Sequence, residues 1–136
     1  MPYLRPYRVF ISHVWTYGDD YDRVVRFLNE EPYFRWENLS VPEHDPVSMR
    51  RLEYELRKKM RPADAFLIIA GMYANNREWI DFEMSFARRI GRPIIGIRKW
   101  ASERVPVAIT NAAREVVGWT GVGIVRAIRD HALRDS

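Results

Sequence analysis

Ala65-Phe66-Leu67-Ile68-Ile69-Ala70, leading within a few residues into Asn75-Asn76-Arg77-Glu78-Trp79-Ile80-Asp81-Phe82-Glu83, is the stretch that decides how this chain folds. An unbroken apolar run of that length suits a strand covered on both faces, since such a strand has no wet side for polar residues. The segment after it reads as a helix, with Asn75 and Glu78 spaced like a capping pair at its start. Glu83 then falls about two turns into that helix, and Trp79, four residues earlier, shares its face one turn away. A helix that starts at the carboxyl end of a buried parallel strand opens on the end of the sheet where ligands bind in open α/β folds. An acid beside a tryptophan at that place is a candidate for chemistry.

The same alternation continues in both directions. Arg8 to Val14 reads as a first strand, β-branched and aromatic, followed by a loop around Gly18 and a helix from Asp20 to Asn29 with Tyr21, Val24, Val25 and Leu28 in register. Pro32 bars continuation of that helix. Phe34 to Ser40 is a second strand, interspersed with charge. Asp45-Pro46 is a helix start signal, with Asp45 as N-cap and Pro46 at the first helical position, and the helix runs to about Met60 ahead of Pro62. Beyond Gly91, a natural residue to end the central helix, Pro93 to Ile97 makes a fourth strand. A short helix is expected around Ala108 to Ala113, a fifth strand over Glu115 to Trp119, and a last helix over Val122 to Leu133 capped by Thr120. Strands separated by helices imply a parallel sheet with helices on both faces. The fold class expected is therefore α/β: a flavodoxin-like three-layer sandwich with a five-stranded parallel sheet, in one domain across the 136 residues.

Composition narrows the function. With no cysteine there is no disulfide framework, no thiol nucleophile and no Cys-based zinc site, and His13, His44 and His131 lack ligand spacing, so no metal is expected. No apolar stretch reaches the roughly 20 residues of a membrane span, and the first residues lack the core of a signal peptide. A cytoplasmic location without membrane contact is the expectation. The net charge is +4, yet the basic residues are divided between helices and mixed with acids, as at Arg50, Arg51, Glu53, Glu55, Arg57, Lys58, Lys59 and Arg61. That pattern reads as a solvated face rather than a nucleic-acid footprint.

No glycine-rich phosphate loop follows any strand, and there is no Gly-x-Ser-x-Gly elbow. The acidic pair and acceptor aspartate of a response regulator are also missing, since the first strand ends in Ser12-His13 and the third in Ala70-Gly71-Met72. What remains at the expected carboxyl ends of the strands is Ser12, His13 and Trp15 after the first, Trp36 and the loop from Pro42 to Pro46 after the second, and Trp79 with Glu83 after the third. Aromatic faces with one carboxylate suit a flat heterocycle on a ribose, and a carboxylate can stabilise an oxocarbenium-like centre or act as nucleophile. Six of these residues also have a plain structural reading. Trp79 can be core, His13 a satisfied strand-end histidine, Trp36 a cover for the sheet edge, Asp45 a cap, Ser12 a turn closure and Glu83 a surface acid.

Tyr7-Arg8-Val9-Phe10-Ile11-Ser12-His13 resembles the first box of TIR domains, and Trp79-Ile80-Asp81-Phe82-Glu83 resembles their Trp-x-x-x-Glu motif in the place it should occupy, after the third strand. The chain looks most like the TIR-like family of the Thoeris bacterial anti-phage systems, the ThsB-type proteins, from Arg8 to about Leu133. The resemblance implies an NAD glycohydrolase or ADP-ribosyl cyclase that breaks the nicotinamide–ribose bond and forms a signalling nucleotide, which activates a partner effector. NAD would be the substrate, with no separate cofactor, and self-association is expected on activation. Glu83 would be the catalytic residue. Ser12, His13, Trp36 and Asp45 would line the nicotinamide and ribose pocket with Trp79. Two residues before the motif tryptophan the family often has a small hydroxyl residue; here it is Arg77, a group able to hold a phosphate itself. Two other readings stay open: a non-catalytic TIR-type association module, and a nucleoside deoxyribosyltransferase-like enzyme.

Overall fold

The computed structural model describes residues 5–12, 19–40 and 49–133, with the backbone alone over 49–52. Its elements alternate: β1 (Tyr7–Ile11), α1 (Asp19–Glu30), β2 (Trp36–Asn38), α2 (Met49–Met60), β3 (Ala65–Ile69), α3 (Arg77–Arg89), β4 (Ile94–Ile97), α4 (Val107–Ala112), β5 (Glu115–Val117) and α5 (Gly121–His131). The strands form one five-stranded sheet in the order β2-β1-β3-β4-β5, and every pairing is parallel. That is the doubly wound arrangement expected of the strand–helix alternation. The order turns back between β1 and β3, so the crevice of the sheet opens at the carboxyl ends of those two strands.

Side-chain alternation along the strands divides the core in two. Val9, Ile11, Ala65, Leu67, Ile69, Ile95 and Ile97 point to one face and pack against α1 and α5 through Val24, Leu28, Ile124 and Ile128. Phe10, Phe66, Ile68 and Ile94 point to the other, against Leu56 and Met60 of α2, Ile80, Met84 and Ala87 of α3, and Ile109 of α4. Every residue of β3 and β4 is buried, which is why those segments read as continuous apolar runs. Gly96 lets α4 lie close to the sheet: a Cβ there would come within 3.1 Å of Ile109 and 3.2 Å of Val116.

Three local expectations are corrected. β2 is confined to Trp36–Asn38, shorter than the expected run from Phe34 to Ser40, because it is an edge strand bonded to β1 alone. A single turn of 3₁₀ helix, Ala70–Met72, comes between β3 and α3. Finally, Asn75 and Glu78 do not make a capping box: the N-cap of α3 is Asn76, whose side chain makes no capping bond and donates instead to the Met72 carbonyl at 2.9 Å.

The end of α3 follows the sequence signal closely. Gly91, at φ 73°, donates to the Arg88 carbonyl at 3.1 Å, and Arg92 donates to that of Ala87 at 2.9 Å, which together form a Schellman closure. A Cβ at Gly91 would meet nothing within 4 Å, so replacement acts on backbone conformation alone. Gly91→Ala is expected to lower stability by about 1 kcal/mol, read as a shifted urea midpoint with an unchanged slope.

Arg57 and Lys58 of α2, and Arg61 just beyond it, are laid over aromatic rings. The Arg57 guanidinium sits 5.3 Å from the Phe82 ring, and that of Arg61 lies 5.7 Å from Phe86. Among the described residues no helix is long and apolar enough to cross a membrane.

Candidate functional site at the turning point of the sheet

Ser12 follows β1 directly and keeps its alternation, so it shares the face of Phe10 and turns toward α3. Its backbone N–H donates to the Leu67 carbonyl at 2.8 Å, which ties it to β3. Its hydroxyl donates to Oε1 of Glu83, the seventh residue of α3. This bond joins the carboxyl end of β1 to α3, the helix that follows β3, beside the place where the strand order reverses.

Glu83 is fully buried. Its Oε2 atom has no hydrogen-bond partner among the described residues. Burial pushes the carboxyl up from its ordinary 4.5 to about 8, and the Ser12 hydroxyl works against that shift by bonding the ionised form. A carboxyl this far from water, with one neutral partner and one unpaired oxygen among the described residues, makes poor structural use of an acid, because a methionine or glutamine would pack there at less expense. It is well suited to meeting positive charge that arrives with a ligand.

The other sequence candidates are distributed as follows. Trp79 lies one turn before Glu83 on α3, half-buried against the same apolar cluster and stacked on Phe82, with ring centroids 5.6 Å apart. Arg77, the first residue of α3, is exposed, with its guanidinium 5.8 Å from the centre of the Tyr73 ring. The Tyr73 hydroxyl donates to Asp81 at 2.7 Å, which anchors this start of α3. His13, Trp15 and Asp45 lie outside the described residues.

Trp36 is a correction. It is the first residue of β2 and pairs with Tyr7, the first residue of β1, so it belongs to the amino end of the sheet. Ser12 is five residues further along β1, about 16 Å away. The Trp36 indole N–H donates to Asn29 at the end of α1, at 2.8 Å. Trp36 closes the bottom of the α1 layer and contributes nothing to the Ser12–Glu83 pair.

Two features at the carboxyl end had no sequence signal beyond their residue types. Glu103, in the connection from β4 to α4, lies beside Gly71, and its Oε1 is buried without a hydrogen bond among the described residues. On the α1 side, a cleft of about 430 Å³ is lined by Asp19, Asp20, Asp22, Arg23, Arg26, Lys99 and Trp119. Lys99 there pairs with Asp20 at 3.0 Å and lies over the rings of Trp100 and Trp119. Both features depend on the stretch from Lys99 to Ala113, which has neither clear periodicity nor a motif.

Comparison with known proteins agrees with this architecture. The family model described as Thoeris protein ThsB, TIR-like domain, matches residues 10–104, a span that begins in β1 and includes both Ser12 and Glu83. No curated protein matches the chain.

Proposed function

Because the chain belongs to the TIR-like domain family of the Thoeris protein ThsB, a component of bacterial anti-phage defence, we propose that it cleaves NAD at the nicotinamide–ribose bond and converts the remainder into an ADP-ribose-type, cyclic signalling nucleotide. The observation that carries this reading is the buried Glu83 carboxyl at the turning point of the sheet, held by Ser12 through one oxygen and unpaired at the other among the described residues.

In this reading the bond between C1′ of the ribose and the pyridinium nitrogen breaks with its electron pair going to nitrogen, so nicotinamide leaves neutral. Positive charge then develops at C1′ and the ring oxygen. The Glu83 carboxylate faces that charge in a site from which water is removed, where an anion acts with far less screening than in solution. Water attacking C1′ gives ADP-ribose, and the adenine base attacking gives a cyclic product. A dry site favours the second. Arg77, the first residue of α3, takes a diphosphate oxygen in this reading. Trp79 supports the helix that carries the acid and offers a ring edge to the heterocycle. The product, released to an effector protein, would be the signal.

The test is incubation of the full chain with NAD over a wide range of protein concentrations, with products resolved by mass spectrometry. Nicotinamide, together with ADP-ribose or its cyclised isomer, is the expected result. The concentration series matters because self-association completes the site in this proposal. Unchanged NAD in every assembled form would overturn the reading in favour of an association module, and base exchange between deoxynucleosides would favour a deoxyribosyltransferase.

A further inference from the structure

Among the described residues Glu83 has no hydrogen-bonded or ion-paired basic partner, element by element. β1 presents a neutral hydroxyl, Ser12. The guanidinium of Arg57, from α2, is taken up by the Phe82 ring and by Glu53 at 3.9 Å. On α3 itself, Asp81 accepts from Tyr73 and the Arg77 guanidinium lies over the same tyrosine ring. The connection after β4 carries another acid, Glu103, which lies beside Gly71. None of these charges contributes to the upward displacement of the Glu83 carboxyl, which comes from burial and is opposed by Ser12 alone.

A carboxylate removed from water with only one hydroxyl for company is strongly disfavoured, so the empty site keeps a proton. A ligand bearing positive charge alters that balance, since it supplies a counter-ion to Oε2, which is buried and has no hydrogen-bond partner among the described residues. A neutral ligand of the same shape does not. We propose that the Ser12–Glu83 pair is a proton-for-cation exchanger, which admits a positively charged ring by releasing one proton from Glu83 and thereby selects it over an isosteric neutral ring. Ser12 is the positioning residue in this device: its hydroxyl holds Oε1 and so fixes Oε2 as the oxygen that meets the cation. The inference rests on the NAD-cleaving reading insofar as it takes the cation to be a nicotinamide ring, oxidised and charged rather than reduced and neutral. It balances simply, with one proton passing from the carboxyl to solvent and no bond to carbon made or broken.

The experiment uses the full chain with the oxidised and reduced forms of a carbocyclic NAD analogue, in which the ribose ring oxygen is replaced and the bond to nicotinamide cannot be cleaved. Calorimetry at pH 6.5 in two buffers of different ionisation enthalpy counts protons. Close to one proton released per oxidised analogue is expected, and none with the reduced form. Affinity for the oxidised form should rise about tenfold per pH unit up to about 8 and then level. Affinity for the reduced form should be flat to the same point and fall above it. Glu83→Gln keeps every other titratable group, His13 included, and should abolish both the proton release and the pH dependence. Ser12→Ala should move the break to higher pH, with Ser12→Thr restoring it.

Oxidised analogue bound without proton release, or with an affinity indifferent to pH, overturns the inference. So does the absence of a protonated-carboxyl band in the infrared difference spectrum of the ligand-free protein against Glu83→Gln near neutral pH, a measurement that needs no ligand. Proton-linked binding of the oxidised analogue without nicotinamide release from NAD would instead remove the enzymatic reading and leave the exchanger standing. Failure of both analogues to bind would overturn the two together.

Discussion

Glu83→Gln is expected to reduce nicotinamide release by about 10³-fold or more while making the protein more stable in alkaline solution. Both effects have one cause. Glutamine fills the volume of the acid and can still accept from Ser12, but it cannot become an anion facing a developing cation. The folded-state value of Glu83, about 8, lies above its ordinary value of 4.5. Between these two pH values the native protein holds a proton that the unfolded chain has shed. The stability associated with the neutral carboxyl is therefore fully present below about 4.5 and is lost as the pH rises through about 8, by roughly 5 kcal/mol in all. That is a large fraction of the roughly 5–15 kcal/mol that holds a domain together. Urea denaturation at pH 5 should find parent and variant nearly equal, and at pH 9 the variant should be the more stable. Parallel stability profiles would show that Glu83 ionises freely and would remove the physical basis for its role.

Asp64→Ala is expected to cause the largest loss of stability among the substitutions considered, about 3 kcal/mol, or roughly 10 °C in thermal midpoint. Asp64 stands just before β3 and is buried. Its carboxylate accepts two bonds from the Arg5 guanidinium, at 2.7 and 2.8 Å, and one from the Arg8 backbone N–H at 2.8 Å. Its own N–H donates to the Arg8 carbonyl at 2.7 Å, and its carbonyl accepts from Leu133 at 3.1 Å. One residue thus ties the start of β1, the start of β3 and the chain leaving α5. Alanine leaves the Arg8 N–H without its acceptor and breaks the forked ion pair. All of this happens at the amino end of the sheet, so turnover measured well below the melting temperature should be unchanged. A thermal midpoint within a degree or two of the parent would show that the Arg5 fork is ornamental.

Legibility followed local physics. β3, β4 and α3 could be read directly, since burial on both faces leaves an uninterrupted apolar run and Gly91 with its φ of 73° is the residue a Schellman closure needs. β2 was overestimated because an edge strand of three residues, paired on one side only, leaves almost no pattern. Trp36 was misplaced with it, since nothing in Phe34 to Ser40 shows where pairing starts. The capping of α3 was misread because Asn75 and Asn76 are equivalent as letters, and only the turn at Ala70–Met72 decides which one ends up at the boundary.

By itself the sequence determined the alternation of strand and helix, the parallel sheet that follows from it, and the position of Glu83 about two turns into the helix after the central strand, because periodicity and turn chemistry are properties of neighbouring residues. Only the tertiary structure decided what Glu83 is. Its bond to Ser12 spans 71 positions of chain, and its complete burial comes from layers contributed by distant elements. Whether a carboxyl is an ordinary surface acid or a buried one that holds its proton depends on the dielectric and the partners around it, and those are assembled only when the sheet closes against its helices.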